Sequence, residues 1–312
     1  MGGSEALLRT ALTVALALAG ALTLDYLCAR KGLLPPGFRV LWRRVAGVLV
    51  VAGLLAIGVF SPVGSLGLPT ETDLSQVTTP QLFLLHLLML LTMGTWFLLG
   101  FAGLPARPEP AAAGLTGELP AEVPAEVVVA PPPVPLARQF AIQFGYVPLT
   151  TVPREIGFGL LLGIGAWVVV LVALILAAGA LWLAGGEDAV PKAPPALVPF
   201  IAGLPIAVRF LISLSAGFVE ESFFRGFLQP RVGIVLSTLF FALAHLSYGQ
   251  PFMLIGITLL SLIYGLLVKW RQNLWPAIAA HALFDGVQLL VVVPAALKML
   301  QGTGAKAAAF LW

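Results

Sequence analysis

One cysteine in 312 residues, Cys28, excludes a disulfide framework and any metal site built from several thiolates. It reads as a small apolar residue near the end of a span. Charge is scarce as well: only 10% of the residues are Asp, Glu, Lys or Arg. A soluble domain carries roughly 25% and needs them to cover its surface. With 59% hydrophobic residues, the chain reads as an all-α polytopic membrane helix bundle. Basic runs interleaved with aromatics are missing too, which excludes a nucleic-acid partner. The net charge of +3 instead fits Lys and Arg gathered in cytoplasmic loops, with membrane lipids as the surrounding partner. Histidine occurs three times in the chain, so the position of each copy carries weight.

About eight apolar segments are long enough to cross a hydrocarbon core, which takes roughly 20 helical residues. They run near 7–28, 41–60, 82–104, 156–183, 197–219, 232–248, 252–268 and 274–297. The first has Arg9 before its apolar run but no small-residue cleavage site after it, so it reads as a span and not as a removed signal. Placing the loop of Arg30, Lys31, Arg39, Arg43 and Arg44 inside puts Arg107, Arg138, Arg154, Arg225, Arg231, Lys269 and Arg271 inside as well. Only Arg9, Lys192, Lys298 and Lys306 fall outside, and Arg209 lies within the fifth span. This asymmetry places both termini outside a bacterial inner membrane.

Composition divides the chain. Residues 1–104 form a three-span region, and 105–138 a linker rich in Pro, Ala and Glu whose triple Pro at 131–133 favours extended polyproline structure. Residues 139–300 form a five-span core, and 301–312 a tail.

That five-span core concentrates the ionisable groups: Glu220, Glu221, Arg225, His245, His281 and Asp285. Each costs roughly 2.5–3.5 kcal/mol at the centre of a bilayer, so each demands a reason. Glu221 and Arg225 are four apart, as are Phe241 and His245, and His281 and Asp285. Such pairs share a helical face. Glu221 is therefore neutralised within its own helix, whereas Glu220 points about 100° away and lacks that partner. A carboxylate without a countercharge in a low dielectric is suited to act as a general base. Taking Pro230 as a helix break, Glu220 lies roughly 15 Å from it along the axis, His281 roughly 15 Å from Arg271, and His245 roughly 21 Å from Arg231. Three helices thus bring these groups to similar depth, where they can meet inside the bundle.

The runs Glu220-Glu221-Ser222-Phe223-Phe224-Arg225, Phe241-Ala242-Leu243-Ala244-His245 and His281-Ala282-Leu283-Phe284-Asp285 resemble the EExxxR, FxxxH and HxxxN/D motifs of the CAAX prenyl protease and bacteriocin-processing family, also called Abi. The resemblance covers about residues 140–297. It implies an intramembrane endopeptidase cutting near the C-terminus or after the leader of a peptide or protein substrate. By the same resemblance Glu220 and His245 activate a water, Glu221 and Arg225 support them, and His281 and Asp285 stabilise the oxyanion. No cofactor is implied by the metal-free glutamate mechanism. A zinc-dependent version would use Glu220, His245 and His281.

One position departs from the pattern. Where the family has an Asn amide, this chain has Asp285, and an ionised Asp donates no hydrogen bond. Asp285 is protonated, or it orients His281 as the donor, or the site binds a metal; the second reading is favoured.

Outside the motifs, His86 has no acidic neighbour at helical spacing and reads as a packing or interhelical hydrogen-bonding residue. Arg209 reads as a partner for a carboxylate or headgroup, and Gly157, Gly159, Gly163 and Gly165 as close helix packing. The expected substrate is membrane-associated or secreted, with a hydrophobic C-terminal tail. The competing readings are a non-proteolytic immunity or scaffold protein, and a transporter with a proton relay. The motif residues retained here argue against the first. Charges confined to one half, without repeat symmetry, argue against the second.

Overall fold

The computed structural model describes residues 3–64, 77–103, 134–146, 148–186, 197–246 and 251–303. Among the described residues the regular structure is entirely helical. The expected linker lies outside the described residues as far as 133, and its end already enters the helix Leu136–Phe144. The tail lies outside them from 304 onward.

The fold is an all-α polytopic bundle. Among the described residues, six helices are long and apolar enough to cross a membrane: Ser4–Arg30, Leu41–Val63, Leu84–Phe101, Leu149–Gly185, Phe252–Arg271 and Trp275–Met299. The other two expected segments are helical but differ from that pattern. The sixth is the 11-residue helix Ile234–Ala244, roughly 16 Å long and short of a full crossing. The fifth is interrupted between Leu197–Gly203 and Ile206, then runs helically as far as Val232. Its Arg209, Glu220, Glu221, Arg225 and Arg231 leave no purely apolar stretch of spanning length.

This glutamate-bearing run is not regularly wound. Ile206–Ser215 is α-helical, Ala216–Glu220 and Ser222–Leu228 are π-helical, and Gln229–Val232 returns to α. The helix does not break at Pro230, as the sequence suggests. A widened turn before the proline relieves the usual clash with the carbonyl four residues back. The break falls at Gly233, whose φ of +87° is a left-handed conformation open to glycine.

Lipid is as apolar as Leu, so helices here associate through close packing and polar contacts more than through expulsion of water. Gly217 sits against the helix Trp275–Val287. A Cβ added there would lie 2.7 Å from Ala282 N and 2.8 Å from Ile278 O. Gly159 and Gly163 make the same kind of approach to Pro276 and Ala280. Gly157 and Gly165 face open space among the described residues, so two of the four glycines expected to pack do so.

The three N-terminal spans are not a separate annex. One apolar cluster joins Leu24, Val51, Met93 and Trp96 to Phe223, Phe227 and Leu274. Trp96 packs edge-on against Phe227 at 5.1 Å between ring centroids, and Phe60 against Phe240 at 6.1 Å. Buried Arg231 lies over both Trp96 and Phe227, and Lys31 Nζ donates to the Arg231 carbonyl at 2.8 Å.

Candidate active site

The six residues singled out by spacing fall into two linked groups around the glutamate-bearing helix. Glu221 is fully buried and Arg225 nearly so. Arg225 Nη1 lies 2.9 Å from Glu221 Oε1, so the i,i+4 pair expected from the sequence forms despite the π winding. Arg225 Nη2 also donates to the Ser261 carbonyl at 3.2 Å, and its guanidinium stands 4.5 Å from the centre of the Phe241 ring. Glu221 Oε1 receives a second donor, His281 Nδ1, at 2.7 Å. His281 therefore belongs with Glu221 and Arg225 as much as with Asp285. A carboxylate oxygen only accepts, so Nδ1 carries the proton. The other ring nitrogen, Nε2, faces Asp285 Oδ2 at 3.6 Å, beyond direct hydrogen-bond length. Tyr264 stacks on the His281 ring at 5.4 Å.

Glu220 points elsewhere. Its Oε1 lies 3.3 Å from His86 Nε2, and its Oε2 lies 3.9 Å from His245 Nε2. Sequence spacing left Glu220 without a partner, and this expectation is corrected. The partner comes from the third N-terminal helix, Leu84–Phe101, which periodicity within one helix cannot reveal. His86 is interhelically hydrogen-bonded, one of the two roles expected for it, but its acceptor is the carboxylate at the centre of the site. The available signal was cost, since any histidine inside an apolar span needs a partner.

His245 ends the short helix Ile234–Ala244. Its Nδ1 lies 2.7 Å from the Phe241 carbonyl. A carbonyl only accepts, so Nδ1–H donates and Nε2 is the nitrogen turned to Glu220. Phe241 ties the two groups together. Its ring stacks on His245 at 4.5 Å, meets His281 at 6.2 Å and underlies Arg225. Arg209 donates to the Leu289 carbonyl at 2.9 Å and so bonds to backbone, not to a carboxylate of this site.

Among the described residues, no group of three or more His, Cys, Asp or Glu side chains is disposed to hold a metal ion. Glu220, His245 and His281 are not gathered around one point, because both His281 nitrogens face carboxylates of the other group.

A family model described as Type II CAAX prenyl endopeptidase Rce1-like matches residues 202–287. Residues 202–287 resemble that family. The Rce1-like segment contains all six motif residues and is narrower than the 140–297 suggested by the motifs alone. His86 and the N-terminal helices lie outside it. The chain is also 36% identical over 77 residues to "Uncharacterized protein YpbD" of Bacillus subtilis (strain 168). That stretch is 24% of this chain and 41% of the relative, so the chain spans about two-fifths of the relative's length. No solved structure matches significantly.

Proposed function

We propose that the chain is an intramembrane endopeptidase of the bacterial inner membrane. It hydrolyses a peptide bond near the C-terminus, or after the leader, of a membrane-associated or secreted substrate with a hydrophobic tail. The observation that carries this reading is the facing pair of Glu220 Oε2 and His245 Nε2, 3.9 Å apart and partly buried. Oε2 makes no hydrogen bond among the described residues, and the bond from Nδ1–H to the Phe241 carbonyl leaves Nε2 as the His245 nitrogen turned towards it. The two atoms would share the attacking water as common hydrogen-bond partners.

The chemistry follows from the groups present. Glu220 takes one proton from the water as its oxygen attacks the scissile carbonyl carbon. The carbonyl π bond opens and an oxyanion forms, stabilised by a hydrogen bond from His281 Nε2–H. Glu221 holds His281 in that orientation through Nδ1, and Arg225 fixes the Glu221 carboxylate that accepts the bond. Asp285 lies beyond His281 Nε2 and orients it as the donor. Glu220 then returns its proton to the leaving amine as the C–N bond breaks, so atoms and charge balance with one water consumed. Enclosure by helices strengthens each of these interactions relative to water.

The test is comparative mapping of protein termini in membrane fractions from cells expressing the wild-type chain or Glu220→Gln at equal levels. New termini present only with the wild type, beside a hydrophobic C-terminal segment, support the reading. Identical termini with unchanged cellular function would favour a scaffold.

A further inference from the structure

We infer that His86, supplied by the three-span region outside the Rce1-like segment, is the positioning residue for the Glu220 carboxylate. The inference rests on the peptidase reading and adds to it a part that the three motifs do not contain.

Two hydrogen bonds fix the His86 ring to the glutamate-bearing helix. Nδ1 lies 3.0 Å from Ser215 Oγ and Nε2 lies 3.3 Å from Glu220 Oε1. A carboxylate oxygen only accepts, so Nε2–H donates to Glu220, while Nδ1 and the Ser215 hydroxyl share the other bond. The ring thus bridges the two ends of a single helical turn. The side chains of His86 and Glu220 are 13% and 15% exposed, so water competes weakly for either bond.

The consequence for Glu220 is directional. A glutamate side chain turns about three bonds, and nothing on its own helix restrains it. With Oε1 held by His86, the carboxylate plane is set and Oε2 is turned towards His245. Without that bond, the same carboxylate is able to swing towards Arg225 or His281, the cationic group on its other side. His86 thus separates two adjacent carboxylates into different tasks: Glu221 with Arg225 and His281, Glu220 with His245. It also gives the three N-terminal helices a purpose in the chemistry.

The experiment uses the full chain in phospholipid vesicles and a quenched peptide spanning a cleavage site found by the terminus mapping, one cut by wild type and not by Glu220→Gln. His86→Leu is expected to lower kcat about 10²-fold with KM nearly unchanged, the usual consequence of a misplaced catalytic group. His86→Gln, whose amide reaches the place of Nε2 and donates there, is expected to recover most of the rate. Full kcat in His86→Leu would overturn the positioning role, as would equal losses in both variants. A second arm is independent of activity. With three histidines in the chain, ring-¹⁵N labelling gives few enough signals to assign. Glu220→Gln must move the His86 Nε2 resonance, and an unmoved resonance overturns the pairing. A wild-type chain that cleaves nothing while this resonance still responds would sink the peptidase reading and the positioning role with it. The pairing itself would remain.

Discussion

Replacing Arg225 by Met tests whether the buried charges are held as the structure describes. Arg225 is 1% exposed and Glu221 fully buried. At 2.9 Å and an effective dielectric near 20, their attraction is about 6 kcal/mol before desolvation is counted. The guanidinium also lies 4.5 Å above Phe241, a contact of about 2 kcal/mol when desolvated. Breaking such a pair by removing one member costs about 3–5 kcal/mol, because the remaining charge is stranded. The pair is intrahelical, so it also exists in the separated helix and stabilises the unassembled state. That moves the expected loss towards about 3 kcal/mol, near a hundredfold in the unfolding equilibrium. The double variant Glu221→Gln/Arg225→Met strands nothing and leaves an amide oxygen to accept from His281 Nδ1. It is expected within about 1 kcal/mol of wild type. Unfolding by SDS in mixed micelles, followed by tryptophan fluorescence, measures all three species. A single variant as stable as wild type, or a double variant worse than the single, would refute this account of the site.

Other perturbations probe the remaining geometry. Gly217→Val drives a side chain into the Ala282 amide and Ile278 carbonyl, 2.7 and 2.8 Å from the first added carbon. It is expected to destabilise the bundle by about 1–3 kcal/mol and to part Glu221 from His281, read as loss of the His281 ring-nitrogen shift. Asp285→Asn substitutes an amide donor beside His281 and is expected to keep peptide cleavage at or above the wild-type rate. Asp285→Ala is expected to lose about 10²-fold, and equal losses in both would count against the oxyanion role. Purified chain is expected to carry substoichiometric zinc and to keep its activity in phenanthroline. Stoichiometric zinc whose removal abolishes cleavage would move Glu220, His245 and His281 into a metal mechanism.

Local spacing made half of the site legible. Glu221–Arg225 is an i,i+4 pair on one helix, and it forms even through a π turn. His245 and His281 lie on separate apolar segments, yet matched depth brings both to the glutamates. The span count was less secure. The segment expected at 232–248 is longer than the helix Ile234–Ala244, because Gly233 and His245 bound it. His86 escaped because its partner is 134 residues away on another helix. Single-helix periodicity carries no information about such a pairing. Burial cost alone marks the residue. Pro230 misled in the opposite direction, since a proline ends a regular α-helix but is accommodated after a widened turn.

Two consecutive carboxylates face different neighbours because successive residues of a helix diverge by about 100°, and here they do so in a stretch that is locally overfull. The turns Ala216–Glu220 and Ser222–Leu228 each take up more residues than the cylinder normally allots. A widened turn takes up its extra residue locally, so deleting one residue at Ala216 would let that turn relax to ordinary winding while the segments on either side keep their facing. The same deletion within the regular stretch Ile206–Ser215 would turn both carboxylates by about 100° about the axis. The widened turn is thus the one place where the chain can be shortened without losing phase.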